Sequence, residues 1–468
     1  MVGQPREIAV VLLAAGKGTR MKSRMAKVLH PIAGRPMLAY PLAAAEGLEP
    51  ARLIAVVGID AEVVEATFSG RATFVRQEET LGTGHAVLQA RSALEGFRGD
   101  VLILYGDTPL LRTETLREMF EIKVATRADL VLLTAAVDVR GIIVRDGDDR
   151  VLRVVEAPDA SPEELAIEER NTGVYLIDAE LLWKTLAGID NRNEQGEIYL
   201  TDIVERAVSE GRRVEAIQLE EPEEALGVDT RALLAQAEAA LRRRTLNRLM
   251  SDGVTIVDPA MTYVDSDIEI GQDTLIEPGC VIQGDTRIGC RVHVKPNCTI
   301  ESSELGDDVV IGPFAHLRPG CRLGRGVRIG NFVEVKNSTL GEGVKADHLS
   351  YIGDADVGAG ASFGCGSIVV NYDGIAKHRT SVGERAFIGC NANLVAPLTI
   401  APDSFIAAGT TVTKDVPKDA LVVGRPKQRH IEGWVSRRRR AGDPPAKPGR
   451  KSPAKPRRNP PAKPGRKR

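Results

Sequence analysis

An α/β domain built on a mostly parallel sheet, followed by a parallel β-helix of hexapeptide repeats, is the fold this sequence predicts, and three observations predict it. Aliphatic residues recur every six positions at Val264, Ile270, Ile276, Ile282, Ile288, Val294 and Ile300, and again at Ile388, Leu394, Ile400, Ile406 and Val412. Ahead of them, apolar runs at 8–13, 53–57, 101–104 and 130–133 alternate with helical stretches, the βαβ signature. The length of 468 residues exceeds one ordinary domain, and an apolar fraction of 43% can fill more than one core.

The six-residue beat excludes a helix, whose buried face needs spacings of three and four, and a simple pleated strand, which needs two; it marks short strands joined by corners. Each aliphatic side chain points into a narrow prism, and stacking one coil on the next closes a core that no single coil could bury. Glycine follows the aliphatic residue at Ile270-Gly271, Ile288-Gly289, Leu305-Gly306, Ile311-Gly312, Leu323-Gly324, Ile329-Gly330, Ile352-Gly353 and Ile388-Gly389. These glycines are expected at corners, in positive φ. The beat slips to five from Ile300 to Leu305, Val335 to Leu340 and Ile352 to Val357, which reads as corners bent for a purpose. A purely structural or regulatory solenoid would keep the same beat, so the rhythm alone does not name a function.

Charge is divided unevenly. From Arg437 onward there are 14 Lys and Arg against the single Asp443, a net of +13, so the preceding 436 residues carry −15 of the chain's total of −2. All six cysteines (Cys280, Cys290, Cys298, Cys321, Cys365, Cys390) lie in the solenoid without a CxxC pair or zinc spacing, and read as small buried hydrophobes in a reducing compartment. The first apolar run is too short and wrongly flanked for a signal peptide, and no stretch is long enough to span a bilayer. A cytoplasmic protein without a membrane segment is expected.

In the first domain the run at 8–13 suits a strand buried on both faces. It ends in Ala14-Ala15-Gly16-Lys17-Gly18-Thr19-Arg20-Met21, where small residues bring backbone N–H groups close to phosphate oxygens and Lys17 and Arg20 add charge. The loop lacks the spacing of a P-loop and the third glycine of a dinucleotide fingerprint. The run at 101–104 leads into Tyr105-Gly106-Asp107-Thr108-Pro109, and Asp107 is placed either to hold Mg²⁺ or to cap the turn before Pro109.

The segment 13–21, Lys27, Gln77 with Leu81-Gly82-Thr83-Gly84-His85-Ala86, Tyr105-Gly106-Asp107 and Asn171-Thr172-Gly173 together resemble the sugar-1-phosphate nucleotidylyltransferases. The solenoid adds Leu317-Arg318-Pro319-Gly320, the segment 331–336 from Asn331 to Lys336, His348-Leu349-Ser350-Tyr351-Ile352-Gly353-Asp354 and Asn371-Tyr372-Asp373-Gly374. From about residue 8 to 434 the combination resembles the bacterial bifunctional N-acetylglucosamine-1-phosphate uridylyltransferase/glucosamine-1-phosphate acetyltransferases. The resemblance implies an α/β nucleotidylyltransferase domain with a Rossmann-like sheet over 1–229, a linker helix over 230–252, a left-handed β-helix acetyltransferase domain over 253–434 and a basic, Pro-rich tail over 435–468. It implies acetylation of glucosamine 1-phosphate from acetyl-CoA, then coupling of N-acetylglucosamine 1-phosphate to UTP, giving UDP-N-acetylglucosamine and pyrophosphate for cell-wall and lipopolysaccharide synthesis. It further implies a homotrimer with acetyl sites between subunits.

In the implied uridylyl site Leu13, Ala14, Ala15, Gly16, Lys17, Gly18 and Arg20 cradle the nucleotide with Gln77, Gly82 and Thr83, and Lys27 lies near the phosphates. Gly141, Glu156 and Asn171 hold the sugar, and Asp107 and Asp229 hold Mg²⁺. In the implied acetyl site His348 is the general base, Glu334 orients its imidazole, and Arg318 and Lys336 grip the sugar phosphate. Tyr351, Ser362, Asn371, Tyr372 and Lys377 make further substrate contacts, with Cys390, Ala408 and Arg425 at the acetyl-CoA cleft.

The chain departs from the family pattern in places. Asp138-Val139-Arg140-Gly141-Ile142 keeps one glycine of a P-x-G-Y-G-R loop, Ala157 and Pro158 follow Glu156, and Ala26 replaces a proline before Lys27. Asp229 stands for an Asn, Ser362 for an Asn and Cys390 for a Ser. Residues 230–250 read as one helix with Leu233, Leu234, Ala237, Ala240, Leu241, Leu246 and Leu249 near helical spacing. From Arg437 nothing apolar remains to fold around; the tail is expected to be a solvated, disordered appendage whose contacts with nucleic acid would be non-specific, since no aromatic is interleaved to stack on bases. Two rival readings stay open: a nucleotidylyltransferase for another sugar 1-phosphate whose solenoid only oligomerises or regulates, and a scaffold that kept the fold without the chemistry.

Overall fold

A computed structural model describes residues 7–137 and 141–442, so Asp138, Val139 and Arg140 of the divergent loop and the tail beyond 442 lie outside the described residues. The chain up to Val423 forms one compact unit; the segment from Gly424 is a second, treated by itself.

All four apolar runs form strands, at Ile8–Ala14, Arg52–Val57, Asp100–Tyr105 and Leu130–Ala135. They join one sheet whose spatial order is Val214–Gln218, Leu130–Ala135, Arg170–Asp178, Asp100–Tyr105, Ile8–Ala14, Arg52–Val57, Thr73–Arg76. Pairing is parallel except for Arg170–Asp178, which runs against both neighbours. Alternation along the first strand serves two cores: Ala9, Val11 and Leu13 face Val87, Leu182 and Ile203, while Val10, Leu12 and Ala14 face Leu42, Leu116 and Met119. Helices therefore cover both faces, and the ligand-facing edge is left to the loops at the carboxyl ends of the strands. A hairpin, Gly141–Arg145 with Val151–Glu156, attaches through Arg170 and Asn171.

The six-residue beat closes into a prism of three parallel sheets with ten, nine and eight strands. Ile276, Ile282, Ile300, Ile311, Leu317 and Val335 are at most 1% exposed, so the beat is the core. The slips to five fall at corners where Ser302, Asn337 and Asp354 take positive φ of 40°, 45° and 51°. The glycines that follow the beat serve a different purpose from the expected one. Of the eight, only Gly312 has positive φ, at 90°. The others answer to crowding: a Cβ on Gly271 would lie 2.7 Å from the carbonyl carbon of Gly289, one on Gly289 2.8 Å from that of Gly306, and the column continues through Gly324, Gly341, Gly358 and Gly383. Successive coils touch backbone to backbone along this edge.

The linker helix spans Arg231–Ser251, with Thr230 as its N-cap accepting from the Leu233 N–H at 3.2 Å. Ala237, Ala240 and Leu241 pack with Ile32, Met37 and Val228, and further along Leu246 and Leu249 enter the solenoid core. A second joint lies beside it: Tyr40 Oη and Ser266 Oγ are 2.9 Å apart, and the Ala33 N–H donates to Glu238 at 2.6 Å. The last solenoid strand is Leu421–Val422. Disorder expected from Arg437 is corrected in part, because a helix runs Trp434–Gly442. Arginine is a good helix former.

Candidate active sites

The first site is built on the strand Ile8–Ala14. Its carboxyl end opens into a cavity of about 280 Å³ lined by Leu13, Ala14, Ala15, Gly16, Lys17, Lys27, Gln77, Gly82, Thr83 and Asp107, ten of the expected residues. Gly18 is required beside it: its φ is 59° and a Cβ would meet the Lys27 side chain at 2.7 Å. Gln77 is fixed from its own strand end, donating to the Gly82 carbonyl at 3.3 Å and lying 3.0 Å from His85 Nδ1. Val28, Thr80, Ala86, Tyr105 and Glu197 complete the lining and were not named as site residues. Tyr105 was visible in its motif; Glu197 had no local signal.

At the cavity's edge Lys27 donates to Asp107, and to Asp229 Oδ1 at 3.0 Å, while Arg20 pairs with Asp229 Oδ2 at 2.8 Å. Burial pulls the Lys27 ammonium toward neutrality, but Asp107 and Asp229 outweigh it and hold its pKa raised. Two carboxylates thus converge on one cation. Among the described residues no group of three or more His, Cys, Asp or Glu forms a metal cage. A pair of carboxylates suits Mg²⁺, which takes one or two from protein and fills its octahedron with phosphate oxygens and water.

The three expected sugar contacts are neighbours by register. Gly141 pairs with Glu156 on one side and with Asn171 on the other. Thr201 donates to Glu156 at 3.3 Å, and Asn171 donates to the Tyr175 hydroxyl at 2.6 Å. Gly173, with φ 82°, lets Tyr105 lie against this strand, since a Cβ there would strike its ring at 2.3 Å. Burial foremost, then the nearby Glu156 and Asp107 charges, raise the Tyr105 phenol's pKa, so it stays a neutral donor.

The second site lies on the solenoid's outer surface. Glu334 and Tyr351 are register partners on successive coils, and Lys336 pairs with Gly353. Arg318 donates to Glu334 at 3.0 Å. At the slipped corners, Asn337 and Asn371 donate to the two oxygens of Asp354 at 2.6 and 2.5 Å. Burial works to raise the Asp354 carboxyl, but these bonds and Lys336 hold it below its ordinary value. A loop from Asn371 returns Lys377 to pair with Tyr372, and Lys377 beside Lys336 lowers the latter's pKa. Lys336, Lys377 and Arg318 concentrate positive charge suited to a phosphate.

His348 stands at the other edge of this face, exposed, its Nδ1 2.9 Å from Asn331 Oδ1. An amide oxygen only accepts, so this contact is met when Nδ1 is the donor, and it turns Nε2 away from Asn331. The expected partner Glu334 is corrected: it bonds Arg318, whereas Asn331 is the register partner of His348. The cause is coil length, which stacks residue 331 beneath 348 and residue 334 beneath 351. Cys390 and Ala408 occupy the same corner as His348 on later coils, with Cys365 between, a residue sequence reasoning did not single out. Ser362 lies apart on the neighbouring face, between Lys345 and Phe387. Arg425 belongs to the segment after Val423.

The model of the MobA-like NTP transferase domain matches residues 10–253, and that of the bacterial transferase hexapeptide (six repeats) matches 267–302 and 302–337. The bifunctional protein GlmU of Pelobacter propionicus is 47% identical over 449 residues, covering 91% of this chain and 98% of that protein. Those of Geobacillus sp. and Geobacter metallireducens are each 46% identical, covering 91% and 92% of this chain and 97% and 99% of theirs.

Proposed function

The chain belongs to the family of the bifunctional protein GlmU, and from that premise we propose that each half carries one of two consecutive transfers. The protein is a bifunctional transferase. It acetylates glucosamine 1-phosphate from acetyl-CoA, then transfers uridylyl from UTP to N-acetylglucosamine 1-phosphate, releasing pyrophosphate. The observation that carries the reading is that two carboxylates and a lysine converge at a glycine-lined cavity in one half, and a corner imidazole stands against Asn331 in the other.

For uridylyl transfer, attack of a sugar phosphate on the α-phosphorus of UTP asks for aligned phosphates and neutralised charge, and little covalent chemistry from protein. Backbone N–H groups of 14–18 hold the nucleotide, Gln77 and Gly82 its base, and Lys17, Arg20 and Lys27 its phosphates. Gly141, Glu156 and Asn171 hold the sugar. Asp107 and Asp229 would hold Mg²⁺, which when bound supplies charge neutralisation of the phosphates.

For acetyl transfer, Arg318, Lys336 and Lys377 grip the phosphate of glucosamine 1-phosphate, with Tyr351, Asn371 and Tyr372 around the sugar. The ammonium of that substrate cannot attack a thioester until it loses a proton; Nε2 of His348 takes it, while the Nδ1–H bond to Asn331 aims the ring. Cys390 and Ala408 lie along the acetyl-CoA path, with Ser362 as a further contact. The functional division is 1–229 for uridylyl transfer and 253–434 for acetyl transfer. A homotrimer is supported by an exposed apolar file beside His348, in which Phe314 stacks on Phe332 at 5.3 Å with Leu349 following. No helix among the described residues is long and apolar enough to cross a membrane; a cytoplasmic site of action fits the nucleotide substrates. Incubating the protein with glucosamine 1-phosphate, acetyl-CoA, UTP and Mg²⁺, and assaying free thiol and pyrophosphate separately, tests both halves. Pyrophosphate without thiol, when N-acetylglucosamine 1-phosphate is supplied, would reduce the solenoid to a scaffold.

A further inference from the structure

One corner of the solenoid carries a file of residues that the proposed acetyl transfer uses only in part. Each stands just before a left-handed residue: Asn331 before Phe332 (φ 57°), His348 before Leu349 (37°), Cys365 before Gly366 (74°), Cys390 before Asn391 (55°) and Ala408 before Gly409 (73°). Backbone bonds stack them coil on coil, shifted by one residue between the His348 and Cys365 coils, where the Gly366 N–H donates to the Leu349 carbonyl at 2.9 Å. The Asn391 N–H donates to the Cys365 carbonyl at 2.8 Å, and the Gly409 N–H to that of Cys390 at 2.8 Å. The expected burial of all six cysteines is corrected: Cys280, Cys298 and Cys321 are buried and Cys290 partly so, while Cys365 and Cys390, at a corner that faces outward, are exposed and consecutive in this file. The strands leading into these two turns, Ser362–Phe363 and Phe387–Ile388, pair in register, and the roughly 4.8 Å spacing of parallel neighbours, carried into the corner by the Asn391–Cys365 bond, falls inside the roughly 4.4–6.8 Å Cα window of a disulfide.

We infer that Cys365 and Cys390 are a modification site: a peroxide closes them into a reversible disulfide that blocks the acetyl site next to His348. The blocking effect rests on the reading of His348 and Cys390 as parts of that site; the bridge itself does not. One thiolate attacks a peroxide oxygen, breaking the O–O bond to give a sulfenic acid and, after proton uptake, water. The second thiol displaces the sulfenic oxygen as another water and forms the S–S bond. Two thiols together lose two electrons and two protons to the peroxide. Where two separate thiols had lined the path between His348 and Ala408, a rigid cystine now spans adjacent coils.

The test uses the full chain, reduced, exposed to hydrogen peroxide and freed of excess. Non-reducing peptide mapping should link Cys365 to Cys390 with the loss of two hydrogen masses. In the same sample acetyl transfer should be lost and then restored by a dithiol reductant, with uridylyl transfer unchanged. Cys365→Ala and Cys390→Ser should each abolish the link and keep the treated-to-untreated activity ratio near that of an untreated control. Oxygen addition to Cys390 without a link, or a link that leaves acetyl transfer intact, would overturn the inference. If the reduced wild type releases no CoA, the acetyl reading is what fails, and the peptide map still decides the bridge.

Discussion

The two halves hold their chemistry in opposite ways. In the sheet domain, loops from several strand ends wall a cavity, and Lys27, Asp107 and Asp229 meet there from positions as far apart as 27 and 229. In the solenoid the candidate residues lie on an outer face and corner, one or two per coil, and meet only because coils stack in register. A cavity makes its own low-dielectric environment and encloses its substrate, whereas an outer face supplies position and leaves enclosure to a second surface. The first site should therefore answer to loss of charge, the second to loss of a particular positioned group.

The largest expected effect tests that difference at His348. His348→Ala should lower acetyl transfer by roughly 10²–10⁴-fold, less at high pH where the substrate amine is already deprotonated. Uridylyl transfer to supplied N-acetylglucosamine 1-phosphate should persist; equal loss of both activities in a folded variant would erase the distinction between the halves. Next comes Asp107→Asn, which should cut pyrophosphate release by about 10²–10³-fold, the scale of losing one electrostatic contact to a transition state, while thiol release holds. Lys336→Met should raise the KM for glucosamine 1-phosphate roughly 10- to 100-fold, the equivalent of one charged hydrogen bond, with kcat changed less.

A smaller effect concerns stability within the sheet domain. Burial, with Glu205 next in weight, raises the Asp202 carboxyl to about 6. Its folded pKa lies above the unfolded value near 4, so the folded state binds the proton more tightly. That contribution is present at low pH and is lost as pH rises to and through 6. Asp202→Asn should then raise stability by about 1 kcal/mol above pH 6, after allowing for partial exposure, and give nothing below pH 4. Thermal melts at the two pH values check the sign. Smallest of all, removing residues 443–468 should leave both kcat and KM values unchanged at physiological salt, because no candidate residue lies there.

Much of this was legible in the chain because its causes are local. A buried parallel strand is a continuous apolar run, so 8–13 and 101–104 announced themselves, and a phosphate cradle needs small residues side by side. The prism core was legible because the beat is its cross-section. What could not be read locally is what stacking decides. Asn331 and His348 are 17 residues apart, one coil, and nothing near either names the other. The same holds for Cys365, visible only after aligning corners, and for Gly141 between Glu156 and Asn171, whose meeting depends on hairpin register. The glycines after the beat were read for φ because positive φ and want of space select the same residue; only the distances between coils separate the two.

That glycine edge makes the solenoid behave like a stack of plates hinged along one side. A single methyl added at Gly306, with Arg325 N and the Gly324 carbonyl carbon only 3.0 and 3.1 Å away, would act as a wedge. The opposite side of the stack could stay in contact, so the prism would bend there instead of lengthening. Everything above the wedge would swing as one body. Asn331, His348, Cys365 and Cys390 all lie beyond it and would keep their mutual spacing, while their aim toward the rest of the molecule changed. Sequence drift along this edge is thus restrained by straightness, a property of the whole stack that no residue in it displays alone.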